Sequence, residues 1–150
     1  MRVFKSTISL IIVLFISACS AATDRTQEVV NDLTKQITLT PTMGGITGIL
    51  NSVSTGEPLR NTVVRLAKVY WNEDNTDGAY VLEGATSPST VSNDQGLFII
   101  ANIEPADYVL VVGEVIGIHE IISNPDGSAK IYTVQSGNIL DIKTLDVNLP

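Results

Sequence analysis

The chain has 150 residues and a formal charge of −7, from sixteen acidic and nine basic side chains. This length provides one domain, and the acidic balance argues against nucleic acid or anionic lipid headgroups as primary partners. The single cysteine excludes an intrachain disulfide.

An export signal opens the chain. Met1–Ser6 carries two basic residues, Ile8–Ile16 is a nine-residue apolar run, and small residues follow it. This order is typical of a secretory signal. The run is too short for a membrane-spanning helix, which needs about 20 residues.

The end of this signal contains the only cysteine. Ile16–Cys19 resembles a bacterial lipobox, whose cysteine is lipid-modified (for example with palmitate) and becomes the mature N-terminus. The resemblance implies multiple acylation of Cys19, and stable anchoring takes more than one acyl chain. Ordinary cleavage after Ala18 is the alternative. The residue after the cysteine is Ser20 and not aspartate. The absence of aspartate at this position favours the outer membrane if the bacterium has two membranes.

Residues 1–18 are thus predicted to be a lipoprotein signal peptide and residues 19–43 a lipid-anchored tether. Removing the signal leaves seven basic against sixteen acidic side chains, a formal charge near −9. A short helix is the alternative to a flexible tether, because four apolar residues have helical spacing: Val29, Val30, Leu33 and Ile37.

From Gly44 to Pro150 short apolar runs alternate with Gly, Pro, Asn and Asp. Seven runs predict strands: Gly45–Leu50, Val63–Trp71, Ala79–Leu82, Leu97–Ala101, Tyr108–Gly113, Lys130–Val134 and Ile139–Leu149. Their spacing predicts an all-β fold, an antiparallel seven-stranded β-sandwich over residues 44–150. Tyr108–Gly113 is apolar on both faces, so we expect a central strand whose second face is at least partly covered.

Three motifs follow one another in a recognisable order. The first is a glycine-bearing strand with a T-G-x-P-L turn and a second strand (Gly45–Leu66). The second is a segment that resembles the pattern D-x-x-G-x-F and leads to N-I-x-P and Y-x-L (Ser92–Leu110), and the third is a closing V-x-x-G segment (Val134–Ile142). Together they resemble a carboxypeptidase regulatory-like domain. The resemblance implies a transthyretin-like (prealbumin-like) sandwich in which these motifs are architectural. Ala106 replaces the usual glycine, which predicts a changed turn.

The residues of the second motif also predict a local structure without reference to the family. Asn93–Gly96 is predicted to be a turn, with Asn or Asp side chains bonding their own backbone and Gly96 at positive φ. Phe98 is expected to share an inward face with Ile100. Tyr108 is expected to bury its ring while its hydroxyl reaches a backbone group.

No catalytic constellation is visible in the sequence. His119 is the only histidine, and the adjacent Glu120 points to the opposite face if this segment is a strand. Hydrolases of purine breakdown share the transthyretin-like sandwich, but they rely on several histidines and a different C-terminal signature. We therefore expect no enzyme activity, no metal and no cofactor.

Two binding features surround one loop. Glu73–Gly78 approaches a calcium-loop pattern, and a solvated hairpin loop is the alternative. Tyr70 and Trp71 beside it form a candidate aromatic platform for sugar rings or a protein partner. The alternative is that one ring lies in the core and the other covers a strand edge. The first strand has no lysine, so no Lys–Asn cross-link is predicted.

We expect a membrane-anchored, extracytoplasmic lipoprotein of the bacterial cell envelope, facing the periplasm or the exterior. Its β-sandwich is predicted to be a non-catalytic binding or structural module, with the membrane as one partner through Cys19 and an envelope protein or glycan as another. Edge strands offer unpaired backbone groups, so β-augmentation is one mode of binding. The alternative function is a carbohydrate-binding or accessory subunit of a surface enzyme complex.

Overall fold

The structure, a computed structural model, describes residues 37–114 and 116–149. The signal segment, Cys19 and most of the tether lie outside these residues, so the expected lipid anchor and the alternative short helix stay predictions. Within the described ranges the chain forms nine strands and no helix, and thus no helix that could span a membrane.

The strands follow one another closely along the chain. They are β1 (Gly44–Ser52), β2 (Val63–Trp71), β3 (Gly78–Val81), β4 (Ser89–Val91), β5 (Leu97–Ile103), β6 (Asp107–Gly113), β7 (His119–Ile121), β8 (Ile131–Thr133) and β9 (Ile139–Val147). Seven of them coincide with the predicted strands. The short strands β4 and β7 are additional.

The first sheet has three strands in the order β5-β1-β9. β1 pairs with β5 antiparallel but with β9 parallel, so the prediction of a purely antiparallel sandwich is wrong for this pair. The turn before β9 explains the difference. Gly137 donates to the Met43 carbonyl (2.8 Å) and Gly45 to the Asn138 carbonyl (2.9 Å), so β9 starts beside the first residues of β1.

The second sheet has six strands. Its main path is β3-β2-β6-β7; β4 also pairs with β2, and β8 with β6. β6 therefore has neighbours on both sides, and Tyr108 to Gly113 are all buried. The prediction of a central strand with a covered second face is confirmed.

The two sheets pack face to face around one apolar core, which confirms the β-sandwich. The first sheet supplies Ile46, Leu50, Phe98 and Ile100, and the second supplies Val64, Leu66, Leu110 and Val112. A smaller apolar cluster lies on the outer face of the six-stranded sheet: Ala67, Val69, Val109 and Val111. This second layer is why β6 is apolar on both faces.

The predicted turn and the predicted tyrosine are both confirmed. The Asn93 Oδ1 atom accepts the N–H groups of Gln95 (2.9 Å) and Leu97 (3.0 Å), and Gly96 has a φ of 73°. The Tyr108 ring is buried, and its hydroxyl donates to the Glu104 carbonyl at 2.8 Å. The turn thereby fixes where β5 begins.

Candidate functional site

One row of β2 side chains runs from the core to the rim of the sandwich. Because successive side chains alternate between faces, Val64, Leu66, Lys68 and Tyr70 share the inner face. Val64 and Leu66 are fully buried, Lys68 is half-buried, and Tyr70 is 52% exposed. The inner face of β2 thus becomes accessible towards its C-terminal end.

A cleft of about 490 Å³ opens at this rim, between the two sheets. We call it the rim cleft. Its walls are the inner face of β2, the segment from Val81 to Ser89, and the C-terminal half of β5 with Glu104. Cavities of this size are in the range of ligand-binding pockets in general.

Charged and aromatic groups are fixed along the rim cleft. Lys68 Nζ lies 2.8 Å from Glu104 Oε2 and 5.9 Å from the centre of the Tyr70 ring. The hydrogen bond that Lys68 donates to Glu104 is the main cause that raises the pKa of Lys68, and burial raises the pKa of Tyr108. The cleft therefore presents a cation held between a carboxylate and an aromatic face, which can orient polar and apolar groups of a ligand.

The rim cleft is bordered by the free edge of β5. Within the described residues β5 pairs only with β1. Leu50 donates to the Gly96 carbonyl at 2.9 Å, and hydrogen-bonded pairs alternate along an antiparallel ladder. This register turns the backbone N–H and C=O groups of Ile99 and Ala101 away from β1. Ala101 itself lines the cleft.

The structure separates the two residues of the predicted aromatic platform. Tyr70 and Trp71 are neighbours on β2 and therefore point to opposite faces of the sheet. Tyr70 lines the rim cleft, whereas Trp71 lies on the outer face, where its Nε1 donates to Asp107 Oδ2 at 2.8 Å. Both side chains are accessible, with Trp71 39% exposed, but they do not form one surface.

A different tyrosine shares the outer face with Trp71. In the pairing of β2 with β3, Trp71 faces Gly78 and Val69 faces Tyr80. Trp71 and Tyr80 are thus diagonal neighbours on one face, a separation that aromatic side chains can span. Sequence reasoning missed Tyr80. The signal that could have found it was the hairpin register, which depends on the length of the Asn72–Asp77 loop.

The loop considered for calcium is the hairpin loop between β2 and β3. Asn72 Oδ1 accepts the N–H groups of Thr76 (2.9 Å) and Asp77 (3.3 Å), and Asn72 Nδ2 donates to Thr76 Oγ1 (3.0 Å). Across the described part of the chain, no three His, Cys, Asp or Glu side chains are placed to hold a metal ion. The hydrogen bonds of the Asn72 side chain are sufficient to explain the conformation of this loop.

His119 lies on the short strand β7 and is exposed. Its Nδ1 lies 3.0 Å from the Gly117 carbonyl oxygen. The adjacent Glu120 accepts the backbone N–H of Asn148 instead of facing the imidazole. The structure does not bring these two side chains together into a site.

Comparison with known proteins gives similarity to solved structures only. No protein-family profile and no curated sequence matches the chain. Similar structures include a 9R-lipoxygenase from Cyanothece PCC8801 (18% identity over 81% of this chain, TM-score 0.41), the major pilin subunit of Bacillus cereus (13%, 73%, 0.43) and a DUF3823 family protein from Bacteroides uniformis (17%, 70%, 0.42). The chain covers 20%, 31% and 43% of these proteins, respectively.

Proposed function

We propose that this protein is a lipid-anchored, extracytoplasmic lipoprotein whose β-sandwich is a non-catalytic binding module. Its principal site is the rim cleft, and its ligand there is an extended polypeptide of the cell envelope. The ligand adds as a strand to β5. The resemblance of the three sequence motifs to a carboxypeptidase regulatory-like domain supports an architectural, non-catalytic sandwich.

The free edge of β5 beside the rim cleft is the observation that carries this proposal. Ile99 and Ala101 direct backbone donors and acceptors outwards, and a bound strand satisfies them with its own backbone. Alternate side chains of that strand then meet Tyr70 and the Lys68–Glu104 pair in the cleft. Backbone pairing supplies affinity, and the cleft supplies selectivity.

The anchor belongs to the same proposal, because the chain enters the sandwich next to the cleft. Asn102 lines the cleft, and its Oδ1 accepts the Thr40 N–H at 2.8 Å while its Nδ2 donates to the Thr38 carbonyl at 3.4 Å. We call residues 37–43, which precede β1, the lead-in. Acyl chains on Cys19 hold the protein at a membrane, and the lead-in then places the cleft near a partner at that surface.

A substitution that removes one backbone N–H group from the edge of β5 tests strand addition. Ala101→Pro removes the outward N–H and leaves the pairing with β1 in place, since proline is tolerated on a free strand edge. Ala101→Val is the matched control, because it keeps the N–H and favours a strand. Peptides selected from a random library on the wild-type full chain are the probe. We expect Ala101→Pro to bind them at least about tenfold more weakly than Ala101→Val.

Hydrogen exchange provides the second readout of the same experiment. Bound peptides are expected to slow exchange of the Ile99 and Ala101 amides. If selected peptides protect other amides, or bind both Ala101 variants equally, strand addition at β5 is wrong.

The second candidate function is a carbohydrate-binding or accessory module of a surface enzyme complex. The exposed ring of Trp71 favours it, because an amphipathic aromatic ring that is fixed by one hydrogen bond can pack against a sugar ring.

A further inference from the structure

The outer face of the β2–β3 hairpin carries two accessible aromatic side chains beside an anchored carboxylate. Trp71 is 39% and Tyr80 is 42% exposed, and the sheet register places them as diagonal neighbours. We define Trp71, Tyr80 and Asp107 as the outer aromatic surface. It lies on the face of β2 opposite to the rim cleft.

The indole of Trp71 is fixed in position by its neighbours. Its Nε1 donates to Asp107 Oδ2 at 2.8 Å, and Asp107 Oδ1 accepts from Thr133 Oγ1 at 2.6 Å. On the adjacent strand Gly78 leaves space for the ring, since a Cβ there would lie 2.9 Å from Trp71 Cε3. A ring fixed in this way loses little conformational entropy on binding.

The hairpin itself is also held rigidly. Asn72 donates its N–H to the Asp77 carbonyl at 2.8 Å, in addition to the side-chain bonds that fold the loop. Trp71 and Tyr80 flank this closed turn on paired strands. The backbone positions from which the two rings extend are therefore set before any ligand arrives.

Hydrogen-bonding capacity remains beside the rings. An ionised carboxylate has about four lone-pair sites, and the bonds from Trp71 and Thr133 occupy two of those on Asp107. A polyhydroxylated ring can place its C–H face against the indole and donate a hydroxyl proton to Asp107. Two rings in diagonal positions suit two successive rings of an extended chain.

The local charge selects among polyhydroxylated ligands. Glu73, Asp74 and Asp77 belong to the adjoining loop, Asp107 lies within the surface, and the whole chain has a formal charge of −7. Like charges disfavour nucleic acids and acidic polysaccharides here. A neutral ligand does not incur this repulsion.

We propose that the outer aromatic surface is a binding site for a neutral oligosaccharide. This inference rests on the carbohydrate alternative of the proposed function and is independent of strand addition at β5. It assigns the contact to Trp71 and Tyr80, with Asp107 as the hydroxyl acceptor, and leaves Tyr70 outside the site.

Trp71 is the only tryptophan of the chain, so its fluorescence reports the proposed site directly. The full chain in a zwitterionic detergent without sugar groups is titrated with cellohexaose, maltohexaose, xylohexaose and mannohexaose. Saturation-transfer NMR with the same probes detects binding anywhere on the protein. We expect at least one hexasaccharide to change the Trp71 emission and to show saturation transfer.

Tyr80→Ala and Tyr70→Ala form a matched pair, because both remove an exposed ring next to Trp71 and both keep the fluorescent reporter. We expect Tyr80→Ala to weaken hexasaccharide binding at least about tenfold and Tyr70→Ala to leave it within about twofold. Saturation transfer without any Trp71 response, or an equal loss in both variants, overturns the site while carbohydrate binding stands. If no hexasaccharide binds, the site and the carbohydrate alternative both fail.

Discussion

At the scale of single residues, two buried tyrosines lie opposite each other on neighbouring strands of the second sheet, and only one of their hydroxyl groups has a hydrogen-bond partner. Tyr108 and Tyr132 are paired between β6 and β8. The Tyr108 hydroxyl donates to the Glu104 carbonyl, whereas the buried Tyr132 hydroxyl has no hydrogen-bond partner among the described residues. Burial raises the pKa of Tyr132 to about 12. A buried hydroxyl without a partner reduces stability.

Tyr132→Phe is therefore expected to raise the free energy of unfolding by about 1 kcal/mol, because it removes an unpaired polar group. Tyr108→Phe is the matched control and is expected to lower it by about 1 kcal/mol, since the Glu104 carbonyl loses its donor. Urea denaturation of the three proteins at neutral pH measures both changes. Equal destabilisation by the two substitutions would show that the Tyr132 hydroxyl has a partner.

The same tyrosine gives a dependence on pH. The folded-state pKa of Tyr132, about 12, lies above the ordinary tyrosine value of 10.0. The unfolded chain releases this proton near pH 10 and the folded protein only near pH 12, so ionisation of Tyr132 leaves stability unchanged below pH 10 and lowers the free energy of unfolding as the pH rises towards 12. In Tyr132→Phe this part of the alkaline loss is expected to disappear. An unchanged slope between pH 10 and 12 would assign the loss to other groups.

At the scale of elements, the parallel pair β1–β9 depends on one glycine. Thr47 faces Asp141 and Ile49 faces Thr144, so Ile142 and Lys143 both lie opposite Gly48. This is a β-bulge, and Lys143 has a φ of 64° there. A Cβ on Gly48 would lie 2.8 Å from Ile142 Cγ1 and 3.0 Å from the Lys143 carbonyl oxygen.

Gly48→Ala is expected to lower the free energy of unfolding by about 1–3 kcal/mol, because the bulge cannot recede from a new methyl group without shifting the sheet. Gly84→Ala serves as the control, since its Cβ would meet nothing within 4 Å. That substitution is expected to stay within about 0.5 kcal/mol of wild type. Thermal and urea denaturation measure both, and a neutral Gly48→Ala would contradict the close contact.

The seven predicted strands were visible in the sequence because each has a local apolar pattern. β4 and β7 were missed because two of the three residues in each are polar, so neither has a local apolar pattern; they form by pairing with β2 and β6. The parallel pairing of β1 with β9 was also missed, since it depends on the long-range contact that brings the start of β9 beside the start of β1. Within the candidate site, Tyr70 and Trp71 were predicted to form one platform, although the alternation of side chains along β2 places them on opposite faces. Locating Tyr80 beside Trp71 required the hairpin register.

At the scale of the whole molecule, the lead-in before β1 is fixed at two points. Asn102 contacts the backbone of Thr38 and Thr40, and the Met43 carbonyl accepts from Gly137. Under the proposed lipid anchor at Cys19, seventeen residues separate the acylated cysteine from Ile37. Covalent geometry limits their span to about 60 Å, so binding at the rim cleft is confined to partners near the membrane surface.

Cys19→Ala tests this arrangement, with Ser20→Ala as a control that keeps the lipobox cysteine. We expect wild type and Ser20→Ala to partition into the membrane fraction with a mass increased by acyl chains. Cys19→Ala is expected to lack that mass and to lose stable attachment, because more than one buried acyl chain is needed to hold a protein at a bilayer. Fractionation of bacterial cells followed by intact-mass measurement provides both readouts. If Cys19→Ala remains in the membrane to the same extent, the lipid anchor is wrong, whereas strand addition at β5 and the outer aromatic surface still stand on their own tests.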